Sequence, residues 1–404
     1  MLKETMFNDA KNFFQVFEPK GETIASLAVP GSVEVLGDVT EFNKGKAISA
    51  NLNKSALIMV QKRKERDRSI HFYSRRYDEK IRMSLNDQQF REEHGWANYV
   101  SSTLFMLEGT GKKVGGLNVY IDDNIPDFFN ANSMEALEIG IASIAQKFGD
   151  WTITGAEIAD ICSDAELKFM KKPKNTAKYM PAIFGKKGML NYCDAGKSVN
   201  ENMNFDIDGL VFMVMSAGLK KKTMESRIMK IIDEVKESIS IIKGTGKNID
   251  SLDAMTMEEF DEFRSRLSIT QRKRCAYFIS ENDRVEAGKQ ALASGDTAKF
   301  LEIINESQKN IANRLEVVTE ENEALMDISL ENEGVKAARL LNMGIDGTVL
   351  LVLEKGKRIQ VETKIKKSFL ARTGLEINSE VFDLTNEIEE TNINVSEFKN
   401  ETQG

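Results

Sequence analysis

Val29-Pro30-Gly31-Ser32-Val33-Glu34-Val35-Leu36-Gly37-Asp38-Val39-Thr40-Glu41-Phe42-Asn43-Lys44-Gly45 reads as a short apolar strand that runs into a turn. Gly31, Gly37 and Gly45 let its backbone bend closely around something small. Asp38, Thr40, Glu41 and Asn43 are presented at the corner that follows, where carboxylates can accept hydrogen bonds from a polyol. The stretch has the outline of a sugar site.

The chain around it has 404 residues and is 41% hydrophobic, enough for two or three domains with a real core. No run of about eighteen uncharged apolar residues occurs, and Met1-Leu2-Lys3-Glu4-Thr5 lacks the apolar core of a signal peptide, so a cytoplasmic address with no membrane contact is expected. Cys162, Cys193 and Cys275 are odd in number and widely spaced, which suggests buried thiols and neither a disulfide framework nor a zinc site. With only His71 and His94, histidine-based catalysis or metal ligation has little material. The net charge of −8 disfavours a general nucleic-acid binder. One segment, 62–76, interleaves Lys62, Arg63, Lys64, Arg66, Arg68, Arg75 and Arg76 with Phe72 and Tyr73; Glu65 and Asp67 interrupt it, and a solvated hairpin is the expected reading.

Along the chain, an amphipathic helix over 12–19 precedes the corner. Two strands, 47–52 and 56–60, are expected after it on either side of a turn at Asn53-Lys54. Helical spacing covers 96–107, a strand follows over 115–121, and a further helix runs through Ala136, Leu137, Ile139, Ile141 and Ile144 with Asn132 or Ser133 as its cap. Thr154 to Glu157 spells a capping box for a helix reaching Met170. A buried strand spans 209–218, residues 220–310 are mainly helical, and the polar tail from Glu387 should fray.

The opening stretch is similar to the galactokinase signature Pro-Gly-Arg-Val-Asn-Leu-Ile-Gly-Glu-His-Thr-Asp-Tyr-Asn, matching at Pro30, Gly31, Val33, Gly37, Thr40 and Asn43. Trp96-Ala97-Asn98-Tyr99-Val100 followed by Gly116-Leu117-Asn118-Val119-Tyr120-Ile121 and Pro126 resembles that family's Trp-x-Asn-Tyr-Val and Gly-Leu-x-Val-x-Ile elements. Residues 334–352 look like its third, glycine-rich motif, with Gly344 and Gly347 kept. The resemblance runs from about residue 12 to 352 and implies the two-domain α+β fold of the GHMP kinases. Residues 1–207 would form a ribosomal-protein-S5-like domain and 208–404 a ferredoxin-like α/β sandwich with a polar tail, the cleft lying between them.

The same resemblance locates the departures. The family loop Pro-x-Gly-x-Gly-Leu-Ser-Ser-Ser-Ala-Ala-Leu-Glu, whose glycines let backbone N–H groups approach a nucleotide phosphate, becomes 126–138 here, with Phe128 and Asn130 in the glycine places and Asp127 and Glu135 adding negative charge. Asn132 and Ser133 are what remains of it. Lys178 stands where the catalytic aspartate should be, and Ser32 replaces its arginine partner; an ammonium has no lone pair with which to take a proton. The sugar-stacking tyrosine has no counterpart in Met224-Glu225-Ser226-Arg227, and Gln308 stands for a histidine. The resemblance therefore implies a protein without phosphoryl transfer and without a cofactor, whose remaining sugar contacts would be Asp38, Glu41, Asn43 and Asp194. Two other readings stay open: a working sugar kinase using ATP and Mg²⁺, with Ser133 on the metal, and a scaffold with no small ligand.

Overall fold

The corner stretch is one long strand and its turn. In the computed structural model, which describes residues 4–19, 23–37, 40–63, 68–87, 89–129, 131–172, 174–205, 208–218, 221–316, 318–345, 347–384 and 387–394, β1 runs from Thr23 to Leu36. It is preceded by helix α1 (Glu4–Phe17) and pairs antiparallel with β2 (Lys46–Lys62). The two strands expected at 47–52 and 56–60 are therefore a single strand. Asn53, Lys54 and Ser55 are polar because that part of β2 faces solvent, and a register shift between Pro30 and Ser32 absorbs the irregularity without a turn.

The hairpin β3 (Ser69–Ser74) and β4 (Glu79–Ser84) follows, then α2 (Ala97–Gly109) and β5 (Leu117–Asp123). Next come α3 (Ser133–Ala145), α4 (Gly155–Ala165) with a π-helical turn over Glu166–Met170, and the short α5 (Met180–Phe184). The hairpin β6 (Met189–Asp194) and β7 (Val199–Asn204) closes the first half. The strand order is β12-β1-β2-β5-β3-β4, with β6 also on β2 and β12 (Glu389–Asn394) coming from the far end of the chain. The tail expected to fray thus contributes a strand over 389–394. Its polar residues give no burial signal, because an edge strand is held by its backbone ladder to Thr23–Ala28.

Alternation sets the layers. Leu27, Val29, Ile58, Val60, Val119 and Ile121 face a core capped by α2, α3 and α4, while Ile24, Met59 and Tyr120 face the opposite way onto Ala10 and Phe13 of α1. The second sheet is β11-β8-β10-β9, from β8 (Leu210–Ser216), β9 (Val335–Leu340), β10 (Thr348–Glu354) and β11 (Asn378–Phe382). Its helices are α6 (Lys221–Lys243), α7 (Met257–Asp261), α8 (Ile269–Ala293), α9 (Thr297–Leu315), α10 (Glu320–Leu330) and α11 (Arg358–Thr373). Met213, Met215, Leu351 and Leu353 belong to this half's own core, but Phe212, Val214, Leu350 and Val352 join the first core with Leu36, Val285 and Phe300. The halves share apolar interior at their junction.

A buried charge ties the same junction. Arg339 on β9 is fully buried; its Nε donates to Ser307 Oγ at 2.9 Å, Nη2 lies 3.7 Å from Glu281, and Nη1 donates to the Val35 carbonyl at 3.4 Å. Gln308 and Asn305 of α9 accept from the backbone of Leu340 and Ala338 at 2.7 and 3.0 Å, so both side chains serve to cover the β9 edge. All three cysteines are free and buried. Among the described residues no helix is long and apolar enough to cross a membrane.

Candidate functional site

Gly31 brings β1 against the loop that follows β5. A Cβ there would stand 2.8 Å from the Ala131 carbonyl and 2.9 Å from Ile125 Cγ2, so only glycine allows this approach. Ser32, buried, donates its N–H to the same carbonyl at 3.1 Å, and its hydroxyl accepts from Asn132 Nδ2 at 2.8 Å. Asn132 is left-handed (φ 53°, ψ 40°) at the start of α3, where its side chain makes no cap bond. The capping expected of Asn132 or Ser133 is absent because both side chains are drawn elsewhere. Ser133 Oγ donates to Asp123 Oδ2 at 2.5 Å, and that oxygen also takes Arg76 Nη1 at 2.6 Å. Burial raises the Asp123 pKa, with Ser133 and Arg76 pulling it partly back. In the loop itself Phe129 is buried with the Phe128 ring 5.1 Å away; Asn130 lies outside the described residues. Phe128 stands in a glycine place and packs on the core beside Phe129.

One turn into α3 lies a buried ionic cluster. Lys178 Nζ is 2.6 Å from Glu135 Oε1 and also contacts Glu166 Oε2, while Lys172 Nζ sits 3.1 Å from Glu166 Oε1. Tyr179 donates to Glu138 Oε2 at 2.8 Å, but Glu138 Oε1 is buried with no partner among the described residues. Burial by itself would lower the Lys178 pKa; Glu135, Glu166 and Glu138 outweigh that and hold it above the ordinary lysine range. Burial likewise opposes ionisation of Glu135, and Lys178 and Lys172 overcome it, so its pKa is lowered. Glu138 goes the other way: burial and then the Glu166 charge push it well above the usual carboxyl range. Two ammoniums thus face Glu135 and Glu166, and the third carboxyl is the one whose pKa is raised.

Lys178 is accordingly an ion-pair member and stays charged. In the family pattern the place of Glu135 is held by alanine, so the reversal of charge at 178 comes with a new carboxylate facing it. The sequence reading set Glu135 against a nucleotide phosphate; in the structure its charge is directed at Lys178. Glu138, Glu166, Lys172 and Tyr179 were not foreseen. The signal available was the three-residue spacing of Glu135 and Glu138, which places both on one face of α3.

The remaining sugar candidates lie elsewhere. Asp38 and the side chain of Glu41 are outside the described residues. Asn43 Oδ1 accepts from Leu252 N at 2.6 Å, tying the corner to the C-terminal half, and its Nδ2 is buried without a partner among the described residues. Asp194, at the end of β6 opposite Lys46, is buried and accepts from Lys197 N at 3.0 Å. The Gly45 carbonyl accepts from Ala195 N at 3.1 Å, so Asn43 and Asp194 border one corner, while Ser32, Asn132 and Ser133 border another.

No family model matches the chain. A galactokinase of Clostridium tetani is 24% identical over 362 residues, covering 89% of this chain and 91% of its own. A galactokinase of Streptococcus mutans is 24% identical over 377 residues, covering 92% and 95%. Among solved structures, Lactococcus lactis galactokinase complexed with galactose superposes with a TM-score of 0.89 at 19% identity, over 96% of this chain and all of that one. Methanococcus jannaschii mevalonate kinase gives 0.61 at 14% identity, over 89% and 98%. The architecture is that of the GHMP kinases, a two-domain α+β fold. Within that class the chain is similar to galactokinases over about nine-tenths of its length.

Proposed function

We propose that the chain is a cytoplasmic, galactokinase-like protein that binds a sugar and does not transfer phosphate. The observation that carries the second half is Lys178: a group held as an ammonium between Glu135 and Glu166 cannot take a proton from a sugar hydroxyl. ATP and Mg²⁺ do not fit the loop ahead of α3. Phe128 takes a glycine place in it, Glu135 adds negative charge, and the Ser133 hydroxyl is engaged by Asp123. A sugar pocket is supported by the corner at Asn43 and Asp194, where a buried amide donor has no protein partner among the described residues, and by the galactose in the Lactococcus lactis relative. Such a protein would act as a sensor or a regulated scaffold.

Thermal unfolding with galactose and related sugars tests the ligand. Saturation to a hundred times Kd should add about 2.7 kcal/mol of stability, and Mg-ATP should add none. Silence with every sugar would leave a scaffold without a small ligand and defeat the sensor reading.

A further inference from the structure

The basic segment 62–76 is not used by the reading above. Most of its cations are engaged internally: Arg63 Nη1 donates to Asn118 Oδ1 at 2.9 Å, Arg75 lies 2.8 Å from Asp122, and Arg76 lies 2.6 Å from Asp123. Arg68 is engaged too, by Glu108 and Asn86, but it differs in place. It lines a groove of about 560 Å³ at the far end of the β3–β4 hairpin, together with Arg82, Arg91, His94, Asn86 and Asp87. Three arginines line it against a single carboxylate of the lining, on a chain whose net charge is −8.

The guanidiniums are not equivalent. Arg68 is fixed by Glu108, from outside the lining, and by a 2.9 Å bond from its Nε to Asn86 Oδ1. Arg91 pairs with Asp87, and both are nearly half exposed, so that pair is weak and exchangeable. Arg82, on the edge strand β4 opposite His71, has a side chain with no ion-pair or hydrogen-bond partner among the described residues. His94 adds an Nδ1 that is buried and likewise without a partner there. Planar guanidiniums match phosphate oxygens two at a time, and the groove's volume lies in the range of about 300–1,000 Å³ usual for small-ligand sites.

We propose that this groove is a binding site for a small phosphate-bearing anion, with Arg82 and Arg91 as direct contacts and Arg68 as the fixed wall. It is separate from the Ser133 loop. Ser69, in the groove, is at the start of β3 beside the start of β5, whereas the Ser133 loop follows the end of β5. The length of β5 separates them by roughly 20 Å, at about 3.3 Å per residue. A small molecule is favoured over a nucleic-acid strand, since Arg63, Arg75 and Arg76, which a strand would need, have internal partners.

Isothermal titration of the full chain with pyrophosphate, in parallel with a 15-nucleotide single strand, tests this. The expected result is saturable pyrophosphate binding that weakens at least tenfold in Arg82→Glu and in Arg91→Gln. It should be retained in Lys80→Glu, an exposed change on the same strand outside the lining. Unchanged thermal unfolding of each variant certifies folding. Absence of pyrophosphate binding, binding indifferent to Arg82→Glu, or an equal loss in Lys80→Glu would each overturn the proposal. So would tighter binding of the oligonucleotide with the same dependence on Arg82, which would make the surface a nucleic-acid contact. None of these outcomes bears on the galactose titration.

Discussion

Lys178→Met should lower the free energy of unfolding by about 3–5 kcal/mol, because it removes one partner of a buried ion pair and leaves carboxyls uncompensated. The affected groups are Glu135, 2.6 Å from the ammonium, and Glu166, which would retain only Lys172. Adding Glu135→Ala to that variant should recover part of the loss, since it removes the stranded charge. Chemical denaturation at neutral pH measures both. A loss under about 1 kcal/mol would mean that Lys178 is solvated and the cluster is not a buried network. The same geometry bears on attempts to rebuild the family's catalytic pair. Ser32→Arg with Lys178→Asp alone would set a fourth carboxyl among Glu135, Glu138 and Glu166, so the reconstruction needs Glu135→Ala as well.

Glu138→Gln should change how stability depends on pH. The folded pKa of Glu138 is raised, so the folded protein holds this proton where the unfolded chain, titrating near 4.5, has lost it. Stability contributed by the protonated group is complete below the unfolded value and is lost as pH climbs toward the folded one, at up to about 1.4 kcal/mol per pH unit. Glutamine does not titrate. The variant should match the parent in acid and gain on it steadily above pH 4.5. Denaturation curves across a pH series measure the difference, and parallel profiles would contradict the assignment of the proton to Glu138.

Much of the fold could be read from local pattern. The apolar spacing of Trp96–Leu107 became α2, the alternation after Gly116 became β5, and Thr154 with Glu157 forms the expected capping box, Glu157 N to Thr154 Oγ1 at 3.2 Å. Elements held by backbone pairing were less legible. Residues 53–55 look like a turn yet continue β2, and the mostly polar 389–394, with Ile393 its one apolar residue, completes a sheet. The site divides in the same way. That Lys178 could not serve as a base was evident from its chemistry alone. Its counter-ions come from positions 135 and 166, brought together by the packing of α3 and α4 against the 171–179 segment, and no local pattern encodes that meeting. The pull of Asp123 on Ser133, which leaves α3 without a side-chain cap, is another contact between distant elements.

Phosphoryl transfer to a sugar should be absent from this galactokinase-like chain. Incubating the purified protein with Mg-ATP and galactose, and following transfer of the labelled γ-phosphate to sugar, tests it most directly. The expected result is no sugar phosphate above the protein-free control, set against the roughly 1–100 s⁻¹ typical of kinases. Product that forms in proportion to protein and disappears in Ser133→Ala would contradict it, and would make the Ser133 loop a working phosphate site.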